Sequence, residues 1–393
     1  MHPIVGEVSS DQIIFLVKSV KSESVTISFK NYDIQSKKMI DDKRLINIVP
    51  NIATRIVLGN INFNKNKILF TIDIDDKKYQ HLIGNKINKI IIISCDMPVA
   101  DAEHSLWNDI SNENSDLVCH IGDNIYGDAT YHSKNANYDQ LYVDTWNIWS
   151  PLLKDSSHLM IGDDHEVKNN FDITQLDQND SKQKKALDAY NCYQATLANV
   201  PSNEGVLTKL INDVKLILIS RSLCLENLVD RLIKEVGNET GNLIVAFSSA
   251  PIILPTNLCG KLYNSILGGT GWKEPDLFRL YDFCFQYMEK NNAKIILVGG
   301  DLHDGFEETI YYQKLELPIF VSSAITNYAT PFEKLIISGI SSTEQINKYR
   351  IVISAKAKRN YLVIENGKPT LKYGSSNMPK KILPYFKELI KMI

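Results

Sequence analysis

The sequence predicts an α/β protein with a small all-β domain in front of it, and three observations predict this. Up to about residue 86, short runs rich in Ile, Val, Phe and Thr are separated by polar turns at close intervals, the pattern of a small β-sandwich. From Ile90 onward, apolar strand-like runs alternate with longer helical segments. Within that second part, several of the apolar runs end directly in aspartate, with Cys or His close by.

The N-terminal runs are Gln12 to Lys18, Ser24 to Phe29, Arg55 to Leu58 and Lys67 to Ile74. They carry no cluster of His, Cys and carboxylate, so this part is assigned a structural or docking role. The polar stretch Gly84 to Lys89 marks the boundary, giving units at 1–86 and 87–376 and a terminal segment at 377–393. In the second unit, helices are expected at Ser105 to Ile110, Tyr138 to Leu153 (interrupted by Pro151), Ser181 to Ala198 and Leu223 to Val236. Pro275 to Lys290 is the clearest amphipathic helix, with proline in its first turn. Val214 to Ile219, Leu243 to Phe247, Glu308 to Tyr312 and Pro318 to Ser322 read as strands. Thr343 to Lys348 reads as a short helix. Arg350 to Ala355, Tyr361 to Glu365 and Pro369 to Tyr373 read as terminal antiparallel strands, the last two a hairpin around Asn366-Gly367. Pro379 to Ile393 reads as a basic amphipathic helix broken by Pro384; it suits packing on the domain or, in a sharper reading, peripheral membrane contact.

With 43 Lys+Arg against 46 Asp+Glu, the net charge of −3 gives no bulk nucleic-acid signature, and no stable nucleic-acid complex is expected. The six cysteines are scattered without a CxxC pair, which speaks against a disulfide framework or a zinc ribbon. No basic n-region precedes an apolar core at the N-terminus and no apolar run is long enough to span a bilayer, so a cytoplasmic or otherwise intracellular location is expected.

The chemistry concentrates in four stretches. Cys119 to Asp128 (CHIGDNIYGD) offers Asp123, Asn124, Tyr126 and Asp128 just past a strand end, where open sheets place their ligand crevice. Leu159 to Glu166 repeats the pattern with Asp163, Asp164, His165 and Glu166. Lys294 to Asp304 repeats it with Asp301, His303 and Asp304, and Ile90 to Asp96 with Cys95 and Asp96. Turn chemistry alone explains any one of them. Four strand ends bringing Asp, Cys, Tyr and His to one sheet edge is what a two-metal hydrolytic site requires.

With GDNIY (122–126), DDHE (163–166) and GDLH (300–303) in this order, the sequence resembles the PhoD-like branch of the metallophosphatase superfamily. Ser94-Cys95 is similar to the first motif of that family, and Ser322 to Asn327 is in keeping with it. The resemblance covers most of the chain. It implies a metallophosphatase-type sandwich of two sheets flanked by helices, preceded by a small fibronectin III-like domain. It further implies metal ligands at Cys95, Asp123, Tyr126, Asp164, Asp301 and His303, with His165 near the leaving group and Arg221 matching a family arginine. Iron with calcium is the implied metal pair, with Mn, Zn or Mg as alternatives; a thiolate and a phenolate suit ferric iron, and clustered carboxylates suit calcium. Two positions depart from the family pattern. Ile219 stands where an aspartate is usual, and Val143 where an arginine is frequent.

The expected activity is metal-assisted hydrolysis of a phosphate ester, whether a small molecule, a nucleotide or a lipid headgroup. Two alternatives stand beside it: a phospholipase D-like or nuclease-like phosphodiesterase, and a non-catalytic binding protein on a decayed scaffold. The second is motivated by Ile219 and Val143.

Overall fold

The computed structural model describes residues 1–33, 38–63, 67–96, 105–133, 136–199, 204–266, 271–323, 325 and 331–374. The segment 377–393, expected as an amphipathic helix, lies outside the described residues.

The N-terminal strands are β1 (Ile4–Val8), β2 (Ile13–Val17), β3 (Ser24–Asp33), β4 (Lys38–Asn47), β5 (Thr54–Leu58), β6 (Ile68–Ile74) and β7 (Lys77–Ile83). They form two antiparallel sheets ordered β1-β2-β5 and β4-β3-β6-β7, closed around Phe15, Val25, Ile27, Phe70 and Ile72. The expected strands are present. The sequence reading passed over β4 and β7 because Lys and Asp interrupt their apolar pattern, and both are edge strands, where such charges deter further pairing.

The second unit begins with β8 (Lys89–Ile93), α1 (Ser105–Asn112), β9 (Leu117–Ile121), α2 (Asp128–His132), α3 (Tyr138–Trp149), β10 (Ser157–Ile161) and α4 (Ser181–Tyr193). It continues with β11 (Val206–Ile211), β12 (Val214–Ile219), α5 (Leu228–Val236), β13 (Asn242–Phe247), α6 (Leu258–Ile266), α7 (Glu274–Asn291) and β14 (Ile295–Gly299). It closes with β15 (Gly305–Tyr312), β16 (Leu315–Ser322), α8 (Pro331–Ser338), β17 (Ser342–Ile346), β18 (Tyr349–Lys356), β19 (Asn360–Glu365) and β20 (Lys368–Tyr373).

These strands build two sheets, ordered β10-β9-β8-β19-β20 and β11-β12-β13-β14-β16-β15-β18-β17. The sheets face each other across Ile90, Ile92, Cys119, Ile161, Leu218, Ala246 and Val298. Helices α1, α3 and α4 cover the outside of the first sheet, and α5 to α8 the outside of the second. Strands sandwiched in this way are apolar on both faces, which is why β9 and β10 are buried at every position. Helix α7 runs as its caps dictate: Glu274 and Asp276 with Pro275 in the first turn, Lys290 in the last, and Asn292 in the left-handed conformation closing it.

Two expectations need correction. Residues 343–348 are not helical: Ser342–Ile346 pairs antiparallel with β18, alternating half-buried and exposed residues, and Asn347 at φ 53° turns the hairpin. The helix expected from Leu223 starts at Leu228, because the Asn227 side chain caps the N–H groups of Val229 and Asp230.

The two units are tied together. Arg55 donates to the carbonyls of Thr196 (2.9 Å), Ala198 and Asn199 (both 3.2 Å), and Lys209 bridges Glu7 (2.9 Å) and the Val8 carbonyl (2.8 Å). His81 of β7 donates from Nδ1 to the Lys154 carbonyl at 2.6 Å. No helix among the described residues is long and apolar enough to cross a membrane.

Candidate metal centre

Strands β8, β9, β10 and β14 run parallel within their sheets and end on one side, and each hands the chain to one of the four motif stretches. The turns there are strained. Cys95, Asp123, Asp301 and His303 all hold positive φ, at 59°, 53°, 73° and 57°. Such backbone costs about 1–3 kcal/mol per residue and persists where surrounding structure imposes it, often at functional sites. Two glycines permit the close packing. A Cβ on Gly122, itself at φ 110°, would stand 2.8 Å from that of Asp163; one on Gly300 would stand 2.4 Å from the Ser248 carbonyl oxygen.

The ligand atoms converge in two groups. One from each of Cys95, Asp123 and His303 lie within 4.8 Å of one another, and so do one from each of Asp123, Asp164 and His165. Asp123 belongs to both. The Tyr126 hydroxyl lies 3.1 Å from His303 Nε2 and so joins the first group. Asp301 is in neither group; its charge is felt by Arg221, Asp163, Asp164 and His165. Cys95, Asp123 and Asp164 form a buried floor, while Tyr126, His165, Arg221, Asp301 and His303 are partly exposed around it.

Sequence reading offered Asn124 and Asp128 as oxygen donors and did not single out Glu166 for a role. Structure gives all three supporting tasks. Glu166 is wholly buried and accepts the backbone N–H groups of Asp123 (3.2 Å), Asn124 (2.8 Å) and Asp163 (2.6 Å). Gln194 donates to the same carboxylate at 3.0 Å. Asp163 and Glu166 form a capping box, and its D-x-x-E spacing is legible in the sequence. Asn124 turns away to the Ile161 carbonyl and Gln194. Asp128 accepts from His165 Nδ1 at 2.6 Å and from the Asn169 N–H at 2.5 Å. A carboxylate only accepts, so Nδ1 carries the proton and Nε2 is the atom His165 offers elsewhere.

The electrostatics show negative charge crowded into a dry place. Burial, then the neighbouring Asp163 and Asp164, push Asp301 up to about 7 despite Arg221. Burial first, with Asp164 beside it, raises Asp163 to about 6, and burial raises Glu166 to about 7 against its hydrogen bonds. Burial drives Asp123 well above the carboxylate range. His165 goes the other way: burial lowers it, but the Asp123 charge and the Asp128 hydrogen bond outweigh that and raise it to about 10. Asp123 Oδ1 is buried and meets no hydrogen-bond donor among the described residues. A thiol, a phenol and an imidazole beside a shared carboxylate, with further carboxylates across from it, form a donor set that fits a pair of cations of different hardness.

Ile219 and Val143 sit away from this chemistry. Ile219 is wholly buried under α5 and α7, and Val143 packs against the aromatic core beneath α3. Cys119 is a buried strand residue between the sheets.

A helix-flanked two-sheet sandwich with its polar site on the ends of parallel strands defines the fold class, and solved structures share it. The structure of PhoD superposes with a TM-score of 0.64 at 13% identity, over 100% of this chain and 98% of that one. A purple acid phosphatase from yellow lupin (Lupinus luteus) seeds superposes with a TM-score of 0.60 at 12% identity, over 96% of this chain and 72% of that one. The chain therefore shares the fold of these two structures. No family model matches it, and no curated protein matches it in sequence.

Proposed function

We propose that this chain is a metal-dependent phosphoester hydrolase. The observation that carries the reading is the sharing of Asp123 between two groups of ligand atoms, each within 4.8 Å. On this reading Cys95, Tyr126 and His303 hold the softer cation, iron, and Asp164 with Asp301 the harder one, calcium. When bound, such a pair supplies a water of lowered pKa and positive charge for the phosphoryl oxygens. The remaining work belongs to side chains. His165, oriented by Asp128, holds a proton within reach of the leaving oxygen. Arg221 offers a guanidinium to the non-bridging oxygens; its Nε is buried without a hydrogen-bond partner among the described residues. Glu166 fixes the two Asp-bearing turns from beneath. The N-terminal unit is fibronectin III-like on this reading, supported by its 1-2-5 and 4-3-6-7 strand orders.

The substrate is a phosphate ester, and the test is hydrolysis of matched chromogenic mono- and diesters before chelation, after it, and with iron and calcium restored. Turnover that follows the metals, and that falls about 10²–10⁴-fold in His165→Ala, is the expected result. The ratio between the two esters separates phosphatase from phosphodiesterase. Protein that binds both metals and turns over neither ester would overturn the hydrolase reading in favour of a binding protein.

A further inference from the structure

Two serines flank the Cys95 sulfur, Ser323 with its Oγ at 3.2 Å and Ser94 at 3.4 Å, and their hydrogens are committed differently. Ser94 donates to the Ser322 carbonyl at 2.8 Å. The Ser323 oxygen accepts the backbone N–H of His303 at 2.8 Å, so its hydrogen is left to point at the sulfur. A ligating cysteine is a thiolate and only accepts. In that state Ser323 is the one of the two serines with a hydrogen to give.

Ser323 is itself held rigidly. It follows the last residue of β16, and the fully buried Asn360 reads both sides of its backbone: Oδ1 accepts its N–H and Nδ2 donates to its carbonyl, each at 3.2 Å. Ser322, next to it, anchors the strand end by donating to the Ile92 carbonyl at 2.6 Å and accepting the Leu362 N–H at 3.1 Å. One hydroxyl thus touches two groups proposed as ligands of the same cation, the Cys95 sulfur and the backbone that holds His303 at φ 57°.

We propose that Ser323 is a positioning residue of the sulfur-side metal site, donating a hydrogen bond to the Cys95 thiolate while fixing the His303 backbone through the same oxygen. This rests on the reading of Cys95 as a ligand. A hydrogen bond to a ligating sulfur draws electron density away from the metal, and groups in this relation to ligands are worth about 10–100-fold in metal affinity.

The test uses the full chain loaded with cobalt(II), whose thiolate charge-transfer absorption reports the sulfur directly. Cys95→Ser is expected to abolish the band, which assigns it. Ser323→Ala is expected to move the band to longer wavelength and to weaken cobalt retention against a chelator about tenfold. The isosteric pair Ser323→Thr and Ser323→Val separates hydroxyl from shape, should the alanine variant fold poorly: threonine keeps the wild-type band and valine shifts it. A wild-type band that Cys95→Ser removes and that stays in place in both Ser323→Ala and Ser323→Val would overturn the inference and leave the metal site standing. Absence of any sulfur band in the wild-type protein would overturn both.

Discussion

The molecule buries histidines in two places and treats them in opposite ways. At the seam between the units, His81, His120 and His158 are at most 2% exposed and no carboxylate hydrogen-bonds to them among the described residues. His81 faces the Lys154 carbonyl, and His158 the neighbouring Leu153 carbonyl at 3.4 Å. His158 accepts from His120 at 3.2 Å, and the Trp149 ring lies against both. Each ring is fixed in a neutral tautomer. Burial holds His81 and His158 down at about 4 and His120 well below its ordinary value. At the candidate metal centre, His165 meets Asp128, Asp123 and Asp164 and is raised to about 10. Burial is common to both regions, so it does not mark function. The difference is charge: the seam's histidines are neutral and meet carbonyls or one another, whereas the centre gathers Asp123, Asp163, Asp164, Glu166 and Asp301 around Arg221 and His165. Protonation or bound cations would relieve that crowding, and the raised carboxyls show its direction.

The largest effect should come from removing the shared carboxylate. Asp123→Asn is expected to reduce phosphoester turnover to background and to abolish retention of both metals. The same change should stabilise the metal-free protein by about 1–2 kcal/mol, because a neutral amide avoids the cost of burying a carboxylate there and, after that, the repulsion from Asp164, Asp163 and Glu166. Thermal unfolding of both proteins in chelator reads this directly. A metal-free variant no more stable than wild type would mean that the crowded carboxylates carry no cost, and the contrast with the seam would collapse.

The seam is tested by acid. The folded pKa of His81 lies below the free value of 6.5, so its contribution to stability is complete above 6.5 and is lost as pH falls through 6.5 towards about 4. His2 and Lys154 push it down and Asp155 pulls it up, while Phe15 packs against its ring. The shift corresponds to about 3 kcal/mol of stability lost across that window. Replacing His81 with Phe should make the dependence of unfolding free energy on pH between 6.5 and 4 shallower by the share of one histidine, with His120 and His158 keeping the rest, measured in denaturant titrations with metals present. An unchanged slope would mean that His81 takes no part in the proton uptake on unfolding.

How much of this could be read in advance follows the same division. The strand-end aspartates were legible because an apolar run breaking into Gly-Asp is a local signal, and its repetition in order singles out the stretches that the fold gathers on one side. Both sheets of the second unit follow from runs such as Ile90 to Ile93 and Leu216 to Ile219, apolar on both faces. The seam was not legible. His81, His120 and His158 are far apart in the chain; the parallel pairing of β9 with β10 brings His120 to His158, and the docking of β7 on the turn before β10 adds His81. Ser323 falls in the stretch Ser322 to Asn327 that is in keeping with the family, but that resemblance gives it no role, since its partners lie at positions 95, 303 and 360. The error at 342–346 arose because a short polar stretch carries no periodicity strong enough to decide, and pairing with β18 decides it.

The smallest expected effect is the most discriminating, because it gives the histidine of the centre a neutral hydrogen-bond partner, as those of the seam have, while leaving the Asp123 charge beside it. In Asp128→Asn, His165 loses its carboxylate and faces a neutral amide. The Asn169 N–H that Asp128 also accepts keeps an oxygen acceptor, so the loop is largely spared. Turnover should fall about 10–100-fold with KM little changed, the size typical of losing a carboxylate behind a working histidine. The fall should grow with the basicity of the leaving group, since a poor leaving oxygen depends most on the proton that His165 supplies. Measuring kcat across a series of aryl phosphates of increasing leaving-group pKa separates the cases. A steeper dependence in the variant places Asp128 behind proton delivery. An equal loss for every ester would mean that Asp128 only braces the turn at Asn169, and that the charge on His165 is a by-product of crowding at the centre.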